Sequence, residues 1–196
     1  MSHQQSLREA CDHSKTKHPN HAFSSSGSTI VLALGNPLRG DDGVGQVVLE
    51  ALMEVENLPA NVTLQDGSGG VLLNLLLTQP RRRVIIVDAG NIGRQPGEWI
   101  QCALQEIRYT QETWRSNHTL HNTGLGDVLT LGEALGISLP AVTIYCVQPK
   151  NLGYSLDLSE EVMEAVPEVY GAIMTDLYMD QELEKRLSSI HDCCKP

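Results

Sequence analysis

The stretch that decides the fold is TIVLALGNPLRGDDGVGQVVLEALMEVE, Thr29–Glu56. Its opening, Thr29–Leu34, is a continuous apolar and partly β-branched run that stops abruptly at Gly35-Asn36-Pro37, which reads as a buried strand feeding a loop. From Gly43 to Glu56 the apolar residues Val44, Val47, Val48, Ala51, Leu52 and Val55 recur at helical spacing, and Asp41 or Asp42 stands where an N-cap is wanted. Strand one therefore passes through a glycine-rich loop into helix one.

The same grammar repeats downstream. Val62–Gln65 reads as a strand ending at Asp66-Gly67, Val71–Leu77 as a short apolar helix, and Arg83–Val87 as a strand ending at Asp88. Glu98–Leu104 alternates less cleanly and suits an antiparallel edge, while Ile107–His121 reads as a polar connection. A helix is expected from about Gly124 to Leu135, then a last buried strand over Ala141–Val147, then two helices, Ser159–Ala165 and a second starting at Pro167 and reaching about Leu187. Strands alternating with helices imply a three-layer α/β/α sandwich around a mostly parallel, twisted sheet. One domain over residues 28–190 is expected, between a polar, Ser-rich leader (1–27) holding His3, His13, His18 and His21 and a short tail (191–196).

Composition narrows the functional classes. The 196 residues carry 14 basic and 24 acidic side chains, a formal charge of -10, and a surface of that sign repels phosphate backbones; nucleic acid is not expected as a partner. Apolar residues are 41% of the chain and aromatic ones only 4%, so aliphatic side chains must fill the core. There is no apolar run of the roughly 18–20 residues that crosses a bilayer and no secretory signal, which points to the cytoplasm. The five scattered cysteines, Cys11, Cys102, Cys146, Cys193 and Cys194, form no Cys-x-x-Cys pair and read as reduced thiols.

In open parallel sheets ligands lie beyond the carboxyl ends of the strands. Asp42 follows strand one, Asp88 ends the third strand and His121 precedes a helix; they are 46 and then 33 residues apart, so only the tertiary fold could gather them. Each alone has an ordinary reading: Asp41 or Asp42 as a helix cap, Asp88 as a cap or an arginine's partner, His121 in a helix-entry network. Together two carboxylates and an imidazole suit a borderline divalent ion such as nickel or zinc. The loop itself is no phosphate cradle. It lacks the Gly-Lys-Ser/Thr ending of a P-loop and the Gly-x-Gly-x-x-Gly spacing, and its paired aspartates would repel a pyrophosphate.

Five ordered motifs then resemble those of the hydrogenase maturation proteases: LALGNPLRGDDGVG (32–45), Asp66-Gly67-Ser68, VIIVDAG (84–90), HNTGLGDVL (121–129) and VQPKNLGYSLDLSEEV (147–162), within a likeness running from about Ile30 to Leu177. The resemblance implies an α/β/α sandwich whose cleft holds a metal through two acidic residues and a histidine, carried here by Asp42, Asp88 and His121, with Asp41 the alternative register for the first. It implies as substrate the large-subunit precursor of a nickel–iron hydrogenase, cut near its C-terminus after nickel insertion, with the nickel carried by the substrate and no organic cofactor. Asp66, in a shared motif, becomes a candidate for a second acidic role in catalysis. The residues themselves offer neither a Gly-x-Ser-x-Gly elbow nor a His-Glu-x-x-His helix, so water delivered by a carboxylate is the expected route. Two other readings share the same ligands: a nickel-binding chaperone that does not cut, and a zinc hydrolase of small peptides. The variable loop that would face the substrate is expected near Arg108–Asn117.

Overall fold

A computed structural model describes residues 28–67, 81–103, 106, 134 and 140–193. The leader, the helices expected over 71–77 and 124–135, the connection over 107–121, His121 and residues 194–196 lie outside the described residues. In order the described elements are β1 (Ser28–Ala33), a 3-10 turn (Gly40–Gly43), α1 (Val44–Met53), β2 (Val62–Asp66), β3 (Arg81–Ala89), β4 (Trp99–Ala103), β5 (Ala141–Val147) and α2 (Glu160–Cys193).

The five strands form one sheet in the order β2-β1-β3-β5-β4. All pairs are parallel except β4 against β5, so the sheet is mostly parallel with one antiparallel edge, the α/β arrangement read from the strand and helix pattern. Burial on both sides explains the unbroken apolar runs. Val31, Ala33, Ile85, Val87, Tyr145 and Val147 face one way, into a core shared with Val44, Val48, Leu49 and Leu52 of α1 and Val162, Val169, Ile173 and Leu177 of α2. The alternate residues Ile30, Leu32, Val84, Ile86, Ile144 and Cys146 face the other way and are equally buried. Each such side chain contributes about 1.5–3 kcal/mol, which is how a chain so poor in aromatics holds a core.

Three local expectations are corrected. Neither Asp41 nor Asp42 caps α1: both lie in the preceding 3-10 turn, and the N-cap is Gly43, with no side-chain cap bond. The C-terminal segment is one helix of 34 residues and not two, with Pro167 inside it. Proline there removes one backbone bond, but residue 167 faces solvent, where water can reach the freed carbonyl. The buried stripe Val162, Ala165, Val166, Val169, Ile173 and Leu177 runs through the proline without a change of phase. Third, β3 begins two residues earlier and ends two later than the expected Arg83–Val87, because Arg81 pairs with Ser28 across a register shift and Asp88 and Ala89 pair with Cys146 and Val147.

Candidate active site

After β1 and β2 the chain returns to place β3 on the far side of β1, so the strand order reverses between β1 and β3. In sheets of this kind the carboxyl ends of the strands at such a reversal are where ligands bind. The glycine-rich loop leaves β1 there, and Asp88 lies at the end of β3.

Close packing fixes the loop. Gly35 has φ 107, and a Cβ on it would run into the Asp42 carbonyl oxygen. A Cβ on Gly45 would sit 2.6 Å from the Leu34 carbonyl oxygen and 2.7 Å from that of Val87, so only glycine lets α1 start this close to β1 and β3. The 3-10 turn is thereby pressed down onto the sheet edge, and both its aspartates are buried, Asp41 0% and Asp42 2% exposed.

The two carboxylates then meet different surroundings. Asp41 Oδ2 accepts from the backbone N–H groups of Lys150 (2.7 Å) and Asn151 (2.7 Å) and from the Ser159 hydroxyl (3.0 Å), and its Oδ1 accepts from the Ser159 N–H (2.6 Å). It bolts the loop after β5 to the loop after β1 and satisfies a donor at the start of α2. Asp42 Oδ2 accepts from the Asn36 N–H at 2.9 Å, but its buried Oδ1 has no hydrogen-bond partner among the described residues. A buried carboxylate oxygen left unpaired costs free energy, and a cation would recover it.

Asp88 is the second carboxylate at this point. Burial, and then the neighbouring Asp42 charge, push its carboxyl up to about 7, against one backbone bond from Ala89 N–H (2.8 Å) to Oδ1 that favours the ionised form. Beside it, in register on β5, stands Cys146, whose thiol is pushed up by burial, then by Asp88 and Cys102. That thiol stays protonated and is no nucleophile.

The geometry therefore brings Asp42 and Asp88 together and gives Asp41 a structural task. Asp66 ends β2, opposite Ala33, which is itself opposite Val87; it is exposed and about two strand spacings, roughly 10 Å, from β3. Among the described residues no group of three His, Cys, Asp or Glu side chains could hold a metal, so Asp66 does not complete the pair. His121 lies outside the described residues. Sequence reasoning missed Gln148, whose side-chain oxygen accepts from Ile92 N–H (2.9 Å) and Arg94 N–H (3.3 Å) and so ties down the loop that follows Asp88. As one polar residue just past the strand Ala141–Val147, it carries no local signal of those distant partners.

Known proteins resemble much of the chain. A family model described as hydrogenase maturation protease matches residues 47–176. The hydrogenase expression/formation protein HupD of Rhodobacter capsulatus is 30% identical over 123 residues, 63% of this chain, and that of Rhizobium leguminosarum bv. viciae 29% over 123 residues. Those matches span 58% and 60% of the two relatives' own lengths, less than two thirds. Among solved structures, the hydrogenase maturating endopeptidase HybD from E. coli superposes with a TM-score of 0.66 at 26% identity, covering 78% of this chain and 93% of that one. A hydrogenase 2 maturation peptidase from Thaumarchaeota archaeon SCGC_AB-539-E09 gives 0.58 at 29% identity, covering 76% and 97%.

Proposed function

Because the chain belongs to the hydrogenase maturation protease family, we propose that it is an endopeptidase that removes a C-terminal peptide from the nickel-loaded large-subunit precursor of a nickel–iron hydrogenase, in the cytoplasm. The observation that carries this reading is the Asp42–Asp88 pair at the switch point of the sheet: one buried oxygen without a partner among the described residues, and one carboxyl held near pH 7 by burial and by its neighbour. Such a pair is uncomfortable empty and is relieved by a divalent ion, and here the ion arrives as part of the substrate. Asp42, Asp88 and His121 contact that nickel, so only a precursor already loaded presents its scissile bond in register.

Hydrolysis follows from the same groups. A water adds its oxygen to the peptide carbonyl carbon; one of the carboxylates, or Asp66, takes the water's proton, and the departing amine regains a proton as the C–N bond breaks. A carboxyl that titrates near 7 is suited to hold and release a proton at neutral pH, whereas Cys146, buried and protonated, offers no covalent route.

The test is to incubate the purified chain with a precursor subunit, with and without nickel, and to follow loss of the C-terminal peptide by mass spectrometry. Cleavage only of the nickel-loaded precursor is expected. Equal cleavage of the nickel-free form would overturn the recognition role, and binding without shortening would make the protein a chaperone.

A further inference from the structure

Three of the most exposed large apolar side chains lie together beside the candidate site: Leu38 (57% exposed), Tyr154 (96%) and Leu156 (79%). They belong to two loops that are joined by backbone bonds. Ser155 N–H donates to the Leu38 carbonyl (3.2 Å), Gly40 N–H to the Ser155 carbonyl (2.9 Å) and Asp41 N–H to the Asn151 carbonyl (3.0 Å), with a parallel bridge pairing Arg39 and Ser155. Alternation about that bridge turns Arg39 and Ser155 inward, where the Arg39 guanidinium donates to the Leu152 carbonyl at 2.9 and 3.2 Å, and turns Leu38, Tyr154 and Leu156 outward. The side chains are thus held outward by the pairing and are not the loose tip of a frayed loop. Chains rarely leave adjacent large apolar groups in water without a partner for them.

The same lacing fixes the patch relative to the carboxylates. Leu38 is four residues before Asp42 in one loop, and the Asp41 carboxylate holds Lys150, Asn151 and Ser159 of the other. The patch is thereby tied to the loop that carries Asp42. We propose that Leu38, Tyr154 and Leu156 form the apolar grip that seats the precursor protein, holding an apolar segment within a few residues of the bond to be cut. This rests on the protease reading above. The exposed area, roughly 400–500 Å² on this one face, is short of the about 600–1,000 Å² that each partner of a stable complex buries but ample for a transient enzyme–substrate contact. None of the three outward side chains is charged, so the grip should be insensitive to salt.

The full-length Tyr154→Ser/Leu156→Ser variant tests it, with Leu38→Ser as a second and Tyr154→Phe as the conservative control. We expect KM for the nickel-loaded precursor to rise about tenfold or more with kcat within about threefold of wild type, no change in thermal midpoint, and Tyr154→Phe close to wild type. An unchanged KM in both serine variants would overturn the grip. A photoreactive side chain placed at position 154 reads docking without catalysis: a crosslink to the precursor supports the proposal even if the wild-type chain leaves the precursor uncut, and that uncut result alone would sink the protease reading. A crosslink between two copies of the chain would overturn the proposal in favour of self-association.

Discussion

The two ends of β3 handle charge in opposite ways. At its start Arg83 reaches Asp176 (2.5 Å), Asp180 (2.8 Å) and the Thr143 hydroxyl (3.0 Å), while Arg82 reaches Asp180 (3.2 Å) and Glu184 (3.1 Å); Tyr145 and Gln101 add donors to Asp176. Burial opposes the Arg83 charge, but Asp176 and Asp180 outweigh it and its pKa is raised. Five residues after Arg83 in the same strand, at its carboxyl end, Asp88 faces Asp42, a like charge, and is pushed up to about 7. The first end is a completed network that fastens α2 to the sheet. The second, among the described residues, leaves one Asp42 oxygen without a partner, and such an oxygen is one that a ligand can satisfy.

The sharpest break in this contrast is made at the carboxyl end. Asp88→Asn and Asp42→Asn are each expected to cut precursor processing by at least about a thousandfold, because a ligand and a candidate base are lost together. Asp88→Asn should at the same time stabilise the metal-free protein by about 1–3 kcal/mol at pH 8, since it removes a like-charge contact from a partly desolvated site. Peptide release by mass spectrometry and urea midpoints on the same preparations check both. A variant that loses activity and stability together would place Asp88 in a structural network instead.

At the other end the sign reverses. Arg83→Leu leaves Asp176 and Asp180, whose side chains are only 15% and 13% exposed, without their principal counter-charge, and should cost about 3–5 kcal/mol. Processing measured well below the unfolding temperature should be nearly unchanged. Between these extremes stands Asp41, adjacent in sequence to Asp42 yet holding four donors: Asp41→Asn should cost about 2–3 kcal/mol, read as a lower urea midpoint, and lower processing indirectly through the loops it joins.

Asp41 and Asp42 also mark how far the chain could be read unaided. The strands, the parallel sheet and its antiparallel edge are legible because apolar runs and their turn residues are local signals, as TIVLAL and AVTIYCV show. The division of labour between neighbouring aspartates is not, because it is set by Lys150, Asn151 and Ser159, 109–118 residues away. Arg81–Arg83 hid the true start of β3, since a triple arginine looks like surface until Asp176, Asp180 and Glu184 come into reach from a helix more than 90 residues on. Pro167 misled in the opposite direction: a local breaker was overridden by a stripe whose partners are α1 and the sheet.

The smallest expected effect is a pH dependence that isolates Asp88. Its carboxyl titrates near 3.8 when unfolded and near 7 in the fold, so between those values the folded chain holds a proton that the unfolded chain has released. Stability must then fall as pH rises through that window and level off above it, the reverse of the usual salt-bridged carboxylate. Between pH 6 and 7 the fall attributable to this one group is about 1 kcal/mol, and between pH 8 and 9, where neither state holds the proton, it vanishes. Other groups titrate too, so the quantity to measure is the difference between wild type and Asp88→Asn, from urea midpoints of metal-free protein at each pH. A difference that grows towards pH 7 and is constant above pH 8 fits a carboxylate crowded by Asp42; a flat difference from pH 5 to 9 would mean that the two charges do not feel each other, and the carboxyl end of β3 would lose its distinction from the start.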